Sequence, residues 1–208
     1  MGVHGVGKTT TILRLKDLLK KDGFDCRVYG LDNYRVYDNT DIYRSQVDRF
    51  TCGSRKMTEA FEDKPEIALF DRSLICNLLY SKWYNENQII SNESLHSLKK
   101  IFNTLQSNNN IFNGYFFFLN PSIDQIMTNI HERNGSVEED VEETRDGKIS
   151  PLLITKKYVA RLQQIYEEFF ETFSLLRPVY ALQEYSAESI LELLKQHDIV
   201  QYLEPWNG

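Results

Sequence analysis

Eight consecutive residues near the start of the chain, Gly2-Val-His-Gly-Val-Gly-Lys-Thr9, match G-x-x-x-x-G-K-[ST] in full, and a helical pattern follows at once. Glycines in these places let successive backbone N–H groups turn inward around phosphate oxygens, at the N-terminus of a helix whose dipole favours negative charge. Lys8 is then placed to neutralise β- and γ-phosphates, and the Thr9 hydroxyl to ligate Mg²⁺. The candidate nucleotide-binding set is Gly2, Val3, His4, Gly5, Val6, Gly7, Lys8, Thr9 and Thr10. The alternative is a plain glycine-rich helix entry. His4 either reaches a sugar or fills a loop position, since neutral imidazole can do both. Such a loop ordinarily joins a strand to a helix, yet only Met1 precedes Gly2. The expectation is therefore a first strand that is truncated: either the chain begins late or the sheet lacks its middle strand, with apolar edges left open.

Beyond the loop, helical and strand patterns alternate, which is the signature of a parallel α/β sheet. Ile12, Leu15, Leu18 and Leu19 share one face of a helix over 9–21, and Cys26–Leu31 reads as a strand. The pattern then predicts a helix over about 40–62, a buried strand at 66–70, and helices over 73–87 and 91–107. A strand at 115–119, a helix to Arg133, a long helix over 155–176, a strand at 178–182 and a helix over 187–195 complete it. Residues 134–150 are acidic and read as a lid loop, which with the end of the preceding helix spans about 131–150. No repeat or low-complexity linker divides the chain, so 1–208 reads as one domain.

In a parallel α/β sheet, sites lie at the carboxyl ends of the strands. The strand at 66–70 delivers Asp71, a candidate for holding Mg²⁺ through water, and Arg72, a candidate for steadying a phosphate or the acceptor. The competing role for Asp71 is N-cap of the next helix. Asp32, at the end of the other short strand, is a candidate general base for an attacking hydroxyl, or else ordinary turn chemistry. Tyr34 could stack on a base, or serve structure alone. Arg133, at the mouth of the acidic loop, is a candidate to close over a transferring phosphoryl group, with Arg145 behind it. The bland reading pairs both with the acidic run 138–143 on the surface.

Charge narrows the partners. With 24 Lys+Arg against 30 Asp+Glu the net charge is −6, which argues against non-specific binding to nucleic acid or to anionic membranes. No apolar run approaches the roughly 20 residues that span a bilayer, and no secretory leader precedes the loop. Three widely spaced cysteines, Cys26, Cys52 and Cys76, fit reduced thiols in a cytoplasmic or nuclear setting better than a disulfide framework or zinc site.

On these residues the chain resembles the P-loop deoxynucleoside and nucleoside monophosphate kinases, thymidylate kinase and the herpesvirus-type thymidine kinases in particular. The loop with His4, the segment Leu69-Phe-Asp-Arg-Ser73, and Leu78-Leu-Tyr80 resemble the superfamily's motifs. Asn129-Ile-His-Glu-Arg133 resembles the lid motif R-x-x-x-R with its first arginine missing, and Tyr158–Glu167 resembles the helix after the lid. The resemblance implies a three-layer α/β/α P-loop fold with a helical lid. It also implies transfer of the ATP γ-phosphoryl group with Mg²⁺ to a deoxynucleoside or monophosphate, thymidine or dTMP foremost. It assigns Lys8, Asp32, Arg72 and Arg133 to catalysis, Asp32, Tyr34, Arg55 and Arg72 to the acceptor, and Thr9 and Asp71 to the metal. The loop near 183–187 would pack on adenine, and a homodimer is common in the family. Asp32-Asn33 departs from the Glu-Pro usual in nucleoside kinases, and His4 from the acidic residue usual in thymidylate kinases.

Overall fold

The computed structural model describes residues 1–3, 5–30, 41–108, 114–134, 155–173 and 178–197. Helix α1 (Lys8–Lys21) leaves the glycine-rich loop through Gly7, whose left-handed φ of 69° serves as its N-cap. It ends on Lys20 and Lys21, cations favoured at a helix C-terminus. Strand β1 (Cys26–Gly30) follows. Helix α2 (Ile42–Asp63) starts where the Asp41 carboxylate accepts from the Arg44 N–H at 2.9 Å. It stops at Lys64, in the left-handed region before Pro65, a common helix exit. Strand β2 (Ile67–Asp71), helices α3 (Leu74–Glu86) and α4 (Asn92–Asn108), strand β3 (Phe116–Leu119) and helix α5 (Ile123–Asn134) come next. Helix α6 (Lys156–Phe173), strand β4 (Val179–Leu182) and helix α7 (Ala187–Gln196) close the order.

The strands pair as two parallel ribbons. In the first, β1 lies on β2 with Cys26 opposite Ile67 and Gly30 opposite Asp71. In the second, β3 lies on β4 with Phe116 opposite Val179 and Leu119 opposite Leu182. The single sheet expected from the alternating pattern is thus present in two halves among the described residues. Met1 stands at the edge of the second ribbon. Met1 donates its amine to the Phe117 carbonyl and accepts from the Leu119 N–H at 2.7 Å. Those two bonds are the pattern of a parallel bridge opposite Phe118, so Met1 is one rung of a strand lying beside β3.

Helices cover both faces. Helix α1 packs on α7, β1 and β2, while α3 packs among α2, α4 and α6. Nine of the thirteen residues of α3 are buried, Leu74, Tyr80 and Trp83 among them, as befits a helix wrapped on all sides. A layered aromatic core joins β3 to α6, with Phe118 stacked on Tyr166 at 5.6 Å and tilted against Phe170 at 5.1 Å.

Candidate active site

The loop is held by side chains and backbone from the β3–β4 half. Val3 and Val6 are buried in the core. Gly5, at φ 78°, lies so close to α5 that an added Cβ would sit 2.6 Å from Ile130 Cγ1 and 3.0 Å from the Ile126 carbonyl. Asn129 donates its amide to the Gly5 carbonyl at 2.9 Å, and the Tyr185 hydroxyl donates to the Val6 carbonyl. With two loop carbonyls tied from behind, the loop keeps a fixed curvature at the start of α1. Lys8 Nζ donates to the Val3 carbonyl at 2.6 Å, which lays the ammonium across the loop's concave side. Thr10 is exposed on the first turn of α1.

The second element brought to this place is the carboxyl end of β2. Thr9 Oγ1 donates to Asp71 Oδ2 at 2.5 Å, so residues 62 positions apart in sequence share one site. Asp71 Oδ1 is buried and, among the described residues, has no hydrogen-bond partner. A hydroxyl and a carboxylate with an unused buried oxygen make a hard oxygen donor set, the kind Mg²⁺ takes when it keeps most of its waters. The alternative role for Asp71 does not hold: Ser73, in extended conformation, is the N-cap of α3. Arg72 follows Asp71 with φ 79°, a conformation rare outside glycine that costs about 1–3 kcal/mol. Its positive charge favours ionisation of the buried phenols of Tyr80, Tyr158 and Tyr166, against the larger opposing effect of their burial.

Arg55 projects from α2, more than half exposed, 3.7 Å from Glu59 and 4.0 Å from Cys52 Sγ. Those contacts keep it on its own helix. His4, Asp32, Tyr34 and Arg145 lie outside the described residues, as does the side chain of Arg133, whose backbone lies in the last turn of α5. The acidic stretch read as a lid lies outside them too. Asn129, at the place of the missing first lid arginine, and Tyr185, in the segment expected to pack on adenine, gain a role that spacing does not reveal: both anchor the loop. Cys26, Cys52 and Cys76 are buried and unpaired with one another. No group of three metal-ligating side chains and no helix long and apolar enough to cross a membrane occurs among the described residues.

Comparison with known proteins fits this geometry. A family model described as deoxynucleoside kinase matches residues 1–204. Among solved structures, deoxyadenosine kinase from M. mycoides with bound dCTP superposes with a TM-score of 0.68 at 18% identity, covering 95% of each chain. The same enzyme with bound dATP gives 0.68 at 19% identity, covering 95% of this chain and 96% of that one. With the products dCMP and a flexible dCDP it gives 0.65 at 19% identity, covering 95% of each. At such identities the superpositions carry the fold. No curated protein matches the chain.

Proposed function

The chain belongs to the deoxynucleoside kinase family, and from that premise we propose that it transfers the γ-phosphoryl group of ATP to the 5′-hydroxyl of a deoxynucleoside. It is a nucleoside kinase that uses a nucleotide phosphate donor; the donor's identity, the acceptor and the residue roles that follow belong to the proposal. The observation that carries the reading is the pairing of Thr9 with Asp71 beside Lys8, at the mouth of the loop Gly2–Gly7.

In this scheme the loop N–H groups bind the donor's phosphates, and Lys8 swings from the Val3 carbonyl to the β- and γ-oxygens. Thr9, and Asp71 through water, would hold Mg²⁺, which when bound draws charge from the phosphoryl group in transit. The acceptor's 5′-oxygen forms the new P–O bond as the bond from the γ-phosphorus to the bridging oxygen breaks and ADP leaves. The hydroxyl proton passes to a carboxylate, for which Asp32 is the candidate. Arg72 and Arg133 offset charge on the transferring group, and Tyr34 and Arg55 meet the acceptor. Since phosphoryl transfer asks a protein mainly for positioning and electrostatics, this set is sufficient. The likeness of the loop and of Asp71-Arg72-Ser73 to thymidine and thymidylate kinases makes thymidine the acceptor of first choice, with dTMP, accepting through its 5′-phosphate oxygen instead of a hydroxyl, as the alternative.

The test is ADP release from Mg-ATP with the four deoxynucleosides and dTMP, with Lys8→Ala as the blank. One deoxynucleoside should stimulate release, and Lys8→Ala should reduce it by about 10²-fold or more. Stimulation by dTMP alone would move the acceptor to the monophosphate class. A second reading, nucleotide binding without transfer, draws on Asn129 in place of a lid arginine. It predicts ATP binding with no acceptor stimulation.

A further inference from the structure

A groove of about 430 Å³ lies between α1 and β1. No residue of β2 before Asp71 lines it, so it follows the edge of β1 that faces away from β2. That edge is open, since β1 pairs with β2 alone among the described residues. The Ile67 N–H donates to the Asp25 carbonyl, and by the alternation of a parallel ladder the backbone groups of Arg27 and Tyr29 then face β2. Those of Cys26, Val28 and Gly30 face the groove. Its other wall is a stripe of α1, formed by Ile12, Leu13, Lys16 and Lys20. Helix α1 ends just before β1 begins, so Lys20 shares one end of the groove with Cys26. Thr9, bonded to Asp71 opposite Gly30, marks the other end. Leu13 is 46% exposed, one of three large apolar side chains so placed among the described residues. Arg14 on the same helix has Glu188 at 3.0 Å, and Arg27 has Asp25 and Asp63. Lys16 and Lys20 have no carboxylate partner among the described residues. In a chain of net charge −6, two such ammoniums beside an open edge make a local positive site.

We propose that this edge takes an extended acidic segment of a partner protein, added to β1 as an antiparallel strand with two of its carboxylates on Lys16 and Lys20. The mode is strand addition, in which backbone bonds supply affinity and side-chain contacts supply selectivity. The spacing sets the pattern. Lys16 and Lys20 stand four residues apart on a helix, about 6 Å along its axis, and side chains two apart on a strand are separated by about 6.6 Å. Carboxylates at alternate positions therefore match the two ammoniums, while adjacent ones fall on opposite faces of the strand. One further step along the same face reaches Ile12 and Leu13, which take an aliphatic side chain. Antiparallel pairing is the more stable per residue, and it orders the segment as Val-x-Glu-x-Glu with its carboxyl end toward Lys20. Asp71, a carboxylate at the opposite end of the groove, keeps the acidic half of the segment at the Lys20 end. The surface lies outside the phosphate-transfer scheme, and the proposal stands whether or not the protein phosphorylates a nucleoside.

The test is amide hydrogen exchange of the full chain with the end-capped pentapeptide Val-Thr-Glu-Thr-Glu, and with Glu-Glu-Val-Thr-Thr, which has the same composition and charge. At saturating Val-Thr-Glu-Thr-Glu, exchange of the Cys26, Val28 and Gly30 amides should slow at least about tenfold, while Arg27 and Tyr29, already bonded to β2, stay as they are. Glu-Glu-Val-Thr-Thr should give no protection at the same concentration. Lys16→Gln combined with Lys20→Gln should weaken binding of the first peptide about fivefold, with little change in the melting temperature of the free protein. Unchanged exchange at the three amides, equal protection by the two peptides, or undiminished binding by the double variant overturns the proposal. So does protection that grows with protein concentration in the absence of peptide, which assigns the edge to a second copy of this chain. Should the double variant fail to fold, the comparison of the two peptides decides.

Discussion

Asp71 joins two kinds of chemistry in one carboxylate, because Oδ2 takes the Thr9 hydroxyl and Oδ1 is buried with nothing to bind among the described residues. Asp71→Asn keeps the shape and an acceptor for Thr9 but removes the charge a divalent cation needs. Turnover should fall about 10²-fold at fixed Mg²⁺, with little change in melting temperature; steady-state rates across a Mg²⁺ series and a thermal melt check both halves. A second residue-level consequence concerns the phenols around Arg72. Burial pushes the hydroxyls of Tyr80, Tyr158 and Tyr166 well above the ordinary tyrosine range. In the unfolded chain they ionise near pH 10, so the folded state binds more protons above that pH. Their stabilisation is whole below about pH 10 and lost progressively as pH rises through the higher folded values. Alkaline titration should therefore show a late step in phenolate absorbance that coincides with loss of helical circular dichroism. Tyr166→Phe should shrink that step. These phenols were not legible as a set in the sequence, because residues 80, 158 and 166 meet only once α3 and α6 pack.

Helix α5 shows what an element can do that its pattern does not reveal. Its periodicity and length were legible, since Ile126 and Ile130 recur at helical spacing, and both are buried. The loop motif and Asp71 were legible too, the first from its own spacing and the second from the rule that sites lie at strand ends. Asn129 was not: its contact with Gly5 spans 124 positions, and nothing local in an exposed-looking amide marks it as an anchor. Tyr185, bonded across 179 positions to Val6, is hidden in the sequence for the same reason. Asn129→Ala leaves the Gly5 carbonyl without its donor and frees the loop to adopt other curvatures. A net hydrogen bond contributes about 1 kcal/mol, so the donor's KM should rise about fivefold with kcat changed less; initial rates over an ATP series measure it. Strand order was the feature least legible. Periodicity predicts β1, β2, β3 and β4 nearly to the residue, but pairing depends on which edges meet, and a strand's own pattern does not name its neighbour.

At the scale of the molecule, the two ribbons carry different parts of the reaction. The β1–β2 half supplies Asp71 and Arg72, while the β3–β4 half grips the glycine-rich loop through Met1, Asn129 and Tyr185. The bond from Thr9 to Asp71 ties the first turn of α1 to the end of β2. The proposed Mg-nucleotide would touch both halves, its phosphates on the loop that the second ribbon grips and its cation on Asp71 at the end of the first. Such a ligand behaves as a clasp. A ligand that binds only the folded arrangement stabilises it by mass action, so the melting temperature should rise with Mg-nucleotide concentration.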